Sequence, residues 1–92
     1  MIVRISLEGQ YRVDEALIER LNELDNEIVD IIARGDEEAF KEKFHAMLEL
    51  VRQNGELVPP EEIVPSDLVL PPPDLTLEEA RAIFTGEGVI PG

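Results

Sequence analysis

The sequence predicts an α+β fold: a central antiparallel two-helix hairpin, a small β-sheet from the N-terminal strands, an extended Pro-rich arm and a short C-terminal helix. Three observations carry this expectation. Between Asp14 and Asn54 apolar residues recur at alternating three- and four-residue spacings in two stretches, broken once by Gly35-Asp36. Ahead of them lie two short β-prone runs. Behind them the chain becomes proline-rich, with all seven prolines beyond residue 58. The expected organisation is one domain over 1–92, with a β-hairpin at 1–13, a helical hairpin at 14–55, the extended arm at 56–75, and a short helix with a docked tail at 76–92.

In the first segment Ile2, Val3 and Ile5 form a strand, Leu7-Glu8-Gly9-Gln10 supplies turn residues, and Tyr11-Arg12-Val13 returns. Two strands alone are marginal in water, so this hairpin must lean on the helices or gain a third strand from elsewhere.

Asp14 is suited to cap the first helix, with Val13 as a hydrophobic staple and Glu15 near the positive end of the dipole. Leu17, Leu21, Leu24, Ile28 and Ile31 then fall within one arc at 100° per residue, widened by Ile18, Val29 and Ile32. Glu15, Glu19, Glu23 and Asp30 gather on the opposite side. Gly35 ends the helix, because it enters the left-handed C-cap conformation without steric cost. Asp36 caps a second helix, whose stripe is Phe40, Phe44, Met47, Leu48 and Val51, running to Asn54-Gly55. So short a join favours an antiparallel pair.

From Leu57 the chain repeats an aliphatic pair followed by proline: Leu57-Val58-Pro59, Ile63-Val64-Pro65, Val69-Leu70-Pro71. Proline lacks a donor and drives its predecessor towards extended geometry, so the arm runs as polyproline II or edge strand. The aliphatic pairs favour an arm laid along the folded body over a mobile linker. Thr76-Leu77-Glu78-Glu79 has capping-box spacing and opens a short helix through Phe84, with Leu77, Ala80, Ile83 and Phe84 on its apolar side. Gly86 and Gly88 end it. The apolar tail Val89-Ile90-Pro91-Gly92 is expected to dock, beside the first strand.

Composition narrows the function. A chain of 92 residues buries only about 60 to 65% of the surface its unfolded form exposes, so a partner would add usefully to its stability. With one tyrosine, three phenylalanines and no tryptophan, the core is mostly aliphatic and little is left to stack on bases. A formal charge of −13 repels phosphate backbones and anionic lipid alike, which argues against nucleic-acid binding and against direct membrane insertion. The same field speeds encounter with a basic protein surface, increasingly so as salt falls. The absence of cysteine excludes disulfides and thiolate chemistry. No apolar run near the N-terminus has the length of a signal peptide or spanning helix, and the expected location is cytoplasmic.

No phosphate-binding glycine loop, nucleophile elbow or histidine pair at metal spacing occurs, so no catalytic, cofactor or metal residues are assigned. His45, the single histidine, falls beside the second helix's stripe and reads as a boundary residue before it reads as a base or pH sensor. The face Glu15, Glu19, Glu23, Asp30 spreads its charges along one helix, whereas metal or hydrolytic chemistry needs convergence from several elements. It is a solvated face, or an electrostatic landing strip for a basic helix. Asp25 lies inside the apolar arc, between Ile18 and Ile32. Since an unpaired buried carboxylate is costly, it either pairs with a cation, Arg4 and Arg12 being candidates, or marks where a partner docks. Leu50 falls outside the second helix's stripe and, with Ala39 and Ala46, makes a weak apolar strip. The candidate partner-binding residues are therefore Glu15, Glu19, Glu23, Asp25, Asp30 and Leu50.

Taken together, Met1-Ile2-Val3-Arg4-Ile5-Ser6, Glu8-Gly9-Gln10-Tyr11-Arg12-Val13 and Leu21-Asn22-Glu23-Leu24-Asp25-Asn26 resemble the PspA-associated small proteins called PspAA. Val64-Pro65-Ser66-Asp67-Leu68-Val69-Leu70-Pro71, Thr76-Leu77-Glu78-Glu79 and Gly88-Val89-Ile90-Pro91-Gly92 resemble that family's tail; the similarity is weakest through the second helix. The resemblance implies an accessory of PspA, a membrane-remodelling phage-shock protein of long helical hairpins, and it transfers no catalytic residue. The expected function is a non-catalytic adaptor that binds PspA and adjusts its assembly in the membrane-stress response, reaching the membrane only through PspA. The alternative is an autonomous homo-oligomer, in which two helical hairpins pair as a four-helix bundle. A nucleic-acid-mimic inhibitor and a small enzyme stand behind both.

Overall fold

The N-terminal segment does form two strands, in a tighter hairpin than the turn residues suggest. The computed structural model describes residues 1–84. Strand β1 spans Ile2–Ile5 and β2 spans Gly9–Arg12, paired antiparallel with Val3 opposite Tyr11 and Ile5 opposite Gly9. The loop is therefore Ser6-Leu7-Glu8, closed by Glu8 N–H donating to Ile5 O at 3.0 Å, and Gly9 and Gln10 belong to the return strand. Val13 N–H donates to Met1 O at 2.9 Å and extends the pairing at the open end.

Helix α1 covers Ala16–Arg34. It starts one residue later than Asp14 suggests: Glu15 is the capping residue and makes no side-chain cap, while the Asp14 carboxylate accepts from Ala16 N–H at 3.0 Å. Gly35 ends the helix in the left-handed region at φ 73°, its N–H turned back to the carbonyls of Ile31 and Ile32. Helix α2 covers Glu37–Asn54, and the Asp36 carboxylate accepts from Ala39 N–H at 3.1 Å. Leu17, Leu21, Ile28, Ile31 and Ile32 of α1 are buried with Phe40, Phe44, Met47, Leu48 and Val51 of α2. Each such side chain contributes about 1.5 to 3 kcal/mol relative to exposure. Phe40 and Phe44 stack with ring centroids 5.4 Å apart.

The further strands that the hairpin requires come from the arm. Strand β3, Glu56–Leu57, pairs antiparallel with β2, and β4, Leu68–Leu70, pairs parallel with β1, giving the order β3-β2-β1-β4. Val3, Ile5, Leu68 and Leu70 enter the same core as the helices. Arg4 and Gln10, one residue out of phase, point to the opposite face. Because β3 and β4 occupy opposite edges, the chain between them crosses that opposite face. It is fastened there: Gln10 Nε2 donates to Val64 O at 3.0 Å and Ser66 Oγ at 2.8 Å, and Arg12 meets Glu62 at 3.4 Å. Ile2 and Asp67 exchange two bonds, the Ile2 N–H donating to the Asp67 carboxylate and the Asp67 N–H to Ile2 O, both 2.8 Å. The arm thus lies along the body. In each aliphatic pair the first member, Leu57, Ile63 or Val69, is exposed, and the second is buried or half-buried.

Helix α3, Leu77–Ile83, carries the expected capping box: Glu79 N–H donates to Thr76 Oγ1 at 3.2 Å and Thr76 N–H to Glu79 Oε1 at 3.0 Å. Ala80 and Phe84 join the core, whereas Ile83 is exposed, so the apolar side is narrower than its sequence suggests. The expected stop at Gly86 and Gly88 and the docked tail lie outside the described residues.

Candidate functional site

On the first helix the four carboxylates Glu15, Glu19, Glu23 and Asp30 are all exposed. They share a face because spacings of four and seven residues return nearly to the same helical angle. Asp30 has Arg34 at 3.6 Å, one turn on, a pair too solvated to neutralise the strip. Glu15 also lines an open cleft with Met1, Ile18 and Asp67.

Asp25 does not share that surface. It is fully buried, its carboxylate is engaged, and no buried side-chain nitrogen or oxygen among the described residues is left without a hydrogen bond. Arg4 and Arg12, named as its candidate cations, are exposed and turned to the arm, Arg4 Nε donating to Ser66 Oγ at 3.4 Å and Arg12 facing Glu62. Leu50 is half-buried and packs against the core. The six candidate residues thus divide into four exposed acids along α1 and two side chains turned to the interior.

One polar cluster is invisible to periodicity. Arg52, near the end of α2, donates from Nε to both Glu8 carboxylate oxygens, at 2.9 and 3.1 Å, and from a second nitrogen to Oε1. Its remaining nitrogen donates to Glu49 at 3.0 Å, and Tyr11 Oη donates to Glu8 at 2.8 Å. The guanidinium holds the Glu8 carboxyl below its usual range, against a smaller opposing effect of burial. Burial, then the bond to Glu8, raises the Tyr11 hydroxyl. These groups fasten the strand hairpin to α2.

His45 is exposed, with Nε2 3.3 Å from Pro73 O and its ring tilted against Phe44. Among the described residues no carboxylate is in hydrogen-bond contact with it. Among the described residues no group of three or more His, Asp or Glu side chains is placed to hold a metal ion, and no helix is long and apolar enough to cross a membrane.

Comparisons with curated proteins and with solved structures return no match. A family model described as PspA-Associated protein matches residues 1–92, so the chain belongs, along its whole sequence, to the PspA-associated family.

Proposed function

We propose that this chain is a non-catalytic adaptor that binds PspA and adjusts its assembly in the membrane-stress response. Membership of the PspA-associated family carries the reading, since it ties the chain to PspA in an accessory role. The surface supplies a physical mode. Glu15, Glu19, Glu23 and Asp30 present an exposed acidic strip, met by Arg34 at its Asp30 end, in a chain of charge −13, a field that accelerates encounter with a basic helix and weakens as salt rises. Asp25, buried, and Leu50, half-buried against the core, stand off that strip. Contact with the membrane is indirect, through PspA, because the field opposes anionic lipid. Both proteins act in the cytoplasm under this reading. Co-purification at low ionic strength is the test: a complex that dissociates as salt rises supports the adaptor, and its absence at every ionic strength, with both proteins folded, overturns it.

A further inference from the structure

Leu7 is the side chain that the fold explains least. It sits third in the turn Ile5-Ser6-Leu7-Glu8 at φ 68°, a conformation that favours glycine or asparagine because a Cβ crowds the neighbouring carbonyl. Its side chain is 89% exposed, so nothing in the core compensates for the backbone strain. Strain that the fold does not need is a mark of a functional position.

Beside this tip runs a groove of about 300 Å³, where Leu57, Val58, Pro59 and Pro60 of the arm meet Gly9 and the polar side chains of Arg4, Glu8 and Gln10. Leu57 is 59% exposed, although it stands in a strand. Two large aliphatic groups therefore project where Glu8 and Gly9 join the tip to the groove. The neighbouring edge does not accept an added strand readily: β3 has two residues, and Pro59 and Pro60 follow with no N–H to offer. An occupant engages through side chains, as the ridge of a helix does. The exposed Glu56 and Glu61 flank this stretch in sequence, Arg52 is held by Glu8 and Glu49, and Arg4, the cation on the groove's lining, donates to Ser66 Oγ at 3.4 Å. A second copy of this chain, itself at −13, and an anionic lipid surface are both repelled.

We infer that Leu7 and Leu57 are the apolar anchors of the partner interface, taking an amphipathic, basic-edged helix along the groove. The inference rests on the reading that the partner is PspA. It divides the labour of binding: the acidic strip of α1 governs the rate of encounter, and the two leucines govern how long the complex lasts.

The test uses the full chain and purified PspA, with association and dissociation rates measured for the wild type, Leu7→Asn, Leu57→Thr and the strip variant Glu19→Gln/Glu23→Gln. Asparagine suits the left-handed position, so Leu7→Asn melts at or above the wild-type temperature while binding at least about tenfold more weakly, through faster dissociation. Leu57→Thr, which suits an edge strand, shows the same loss, and the strip variant chiefly slows association. Wild-type dissociation rates in both leucine variants overturn the anchoring role and leave the adaptor reading standing. Failure of the wild type to bind PspA overturns that reading and this inference with it. A wild-type dimer that Leu7→Asn dissolves reassigns the patch to self-association and also overturns the proposal.

Discussion

Glu8 and Arg52 are 44 residues apart in sequence and joined by a two-pronged carboxylate–guanidinium contact, which ties the tip of the strand hairpin to the end of α2. Both side chains are roughly three-quarters shielded, at 26% and 30% exposure, so the pair is screened less than a free surface bridge. Its bidentate geometry makes it the most specific polar link between sheet and helices.

Glu8→Gln keeps an acceptor for Tyr11 and removes the charge, and is expected to lower stability by about 1 kcal/mol at neutral pH. Since the folded state holds the Glu8 carboxyl below its ordinary value, the unfolded chain binds the extra proton, and this stabilisation is complete above the unfolded pKa. It disappears as pH falls through the folded pKa. Urea titrations of both proteins should therefore converge at acid pH; a gap that persists there would show that the pair acts through packing instead.

The three helix starts separate side-chain caps from the absence of one. Asp36→Ala removes the acceptor for Ala39 N–H and should cost about 1 kcal/mol, as should Thr76→Ala at the start of α3. Glu15→Ala, at a start with no side-chain cap, should change stability by less than about 0.5 kcal/mol. Chemical denaturation midpoints compare the three directly.

Gly55 joins α2 to β3 where backbones crowd. A Cβ there would lie 2.6 Å from Val51 O, 2.9 Å from Tyr11 Cβ and 3.0 Å from Val13 Cγ1, so alanine must push the strand hairpin away from the helix. A loss of about 1 to 3 kcal/mol is expected for Gly55→Ala. Hydrogen exchange should place the loosening at Tyr11 and Val13, and an undisturbed pattern there would refute the steric account.

Neutralising Glu19 and Glu23 together should leave the fold intact, since both side chains are exposed. Association with PspA should slow several-fold at low salt and approach the wild-type rate as ionic strength rises. Equal salt slopes for the two proteins would place the steering charge elsewhere.

The elements that periodicity governs are legible in the sequence. Two stripes of apolar residues, a glycine between them and Asp36 after it specify the helical pair, and Asp25 stands out because its phase contradicts its polarity. The strand hairpin was legible in kind but not in register. The expected turn ran over Leu7-Glu8-Gly9-Gln10, while the chain turns at Ser6-Leu7-Glu8 and puts the left-handed residue at Leu7, where local rules do not look for a leucine. Strand β4 was hidden for another reason: three residues between prolines carry little local signal, and their pairing with β1 is decided by contacts far away in sequence. The Glu8–Arg52 pair was hidden likewise, since two charges reveal their partnership only after sheet and helix have met.

Placing β1 inside the sheet, between β2 and β4, sets an order of events during synthesis. The helical hairpin can close as soon as residue 54 has left the ribosome, but β1 keeps one unpaired edge until residues 68–70 arrive, and the bonds between Ile2 and Asp67 span 65 positions. Strand β1 is thus among the last to be completed, and until residues 68–70 have been made it exposes a sticky β-edge that β4 later covers.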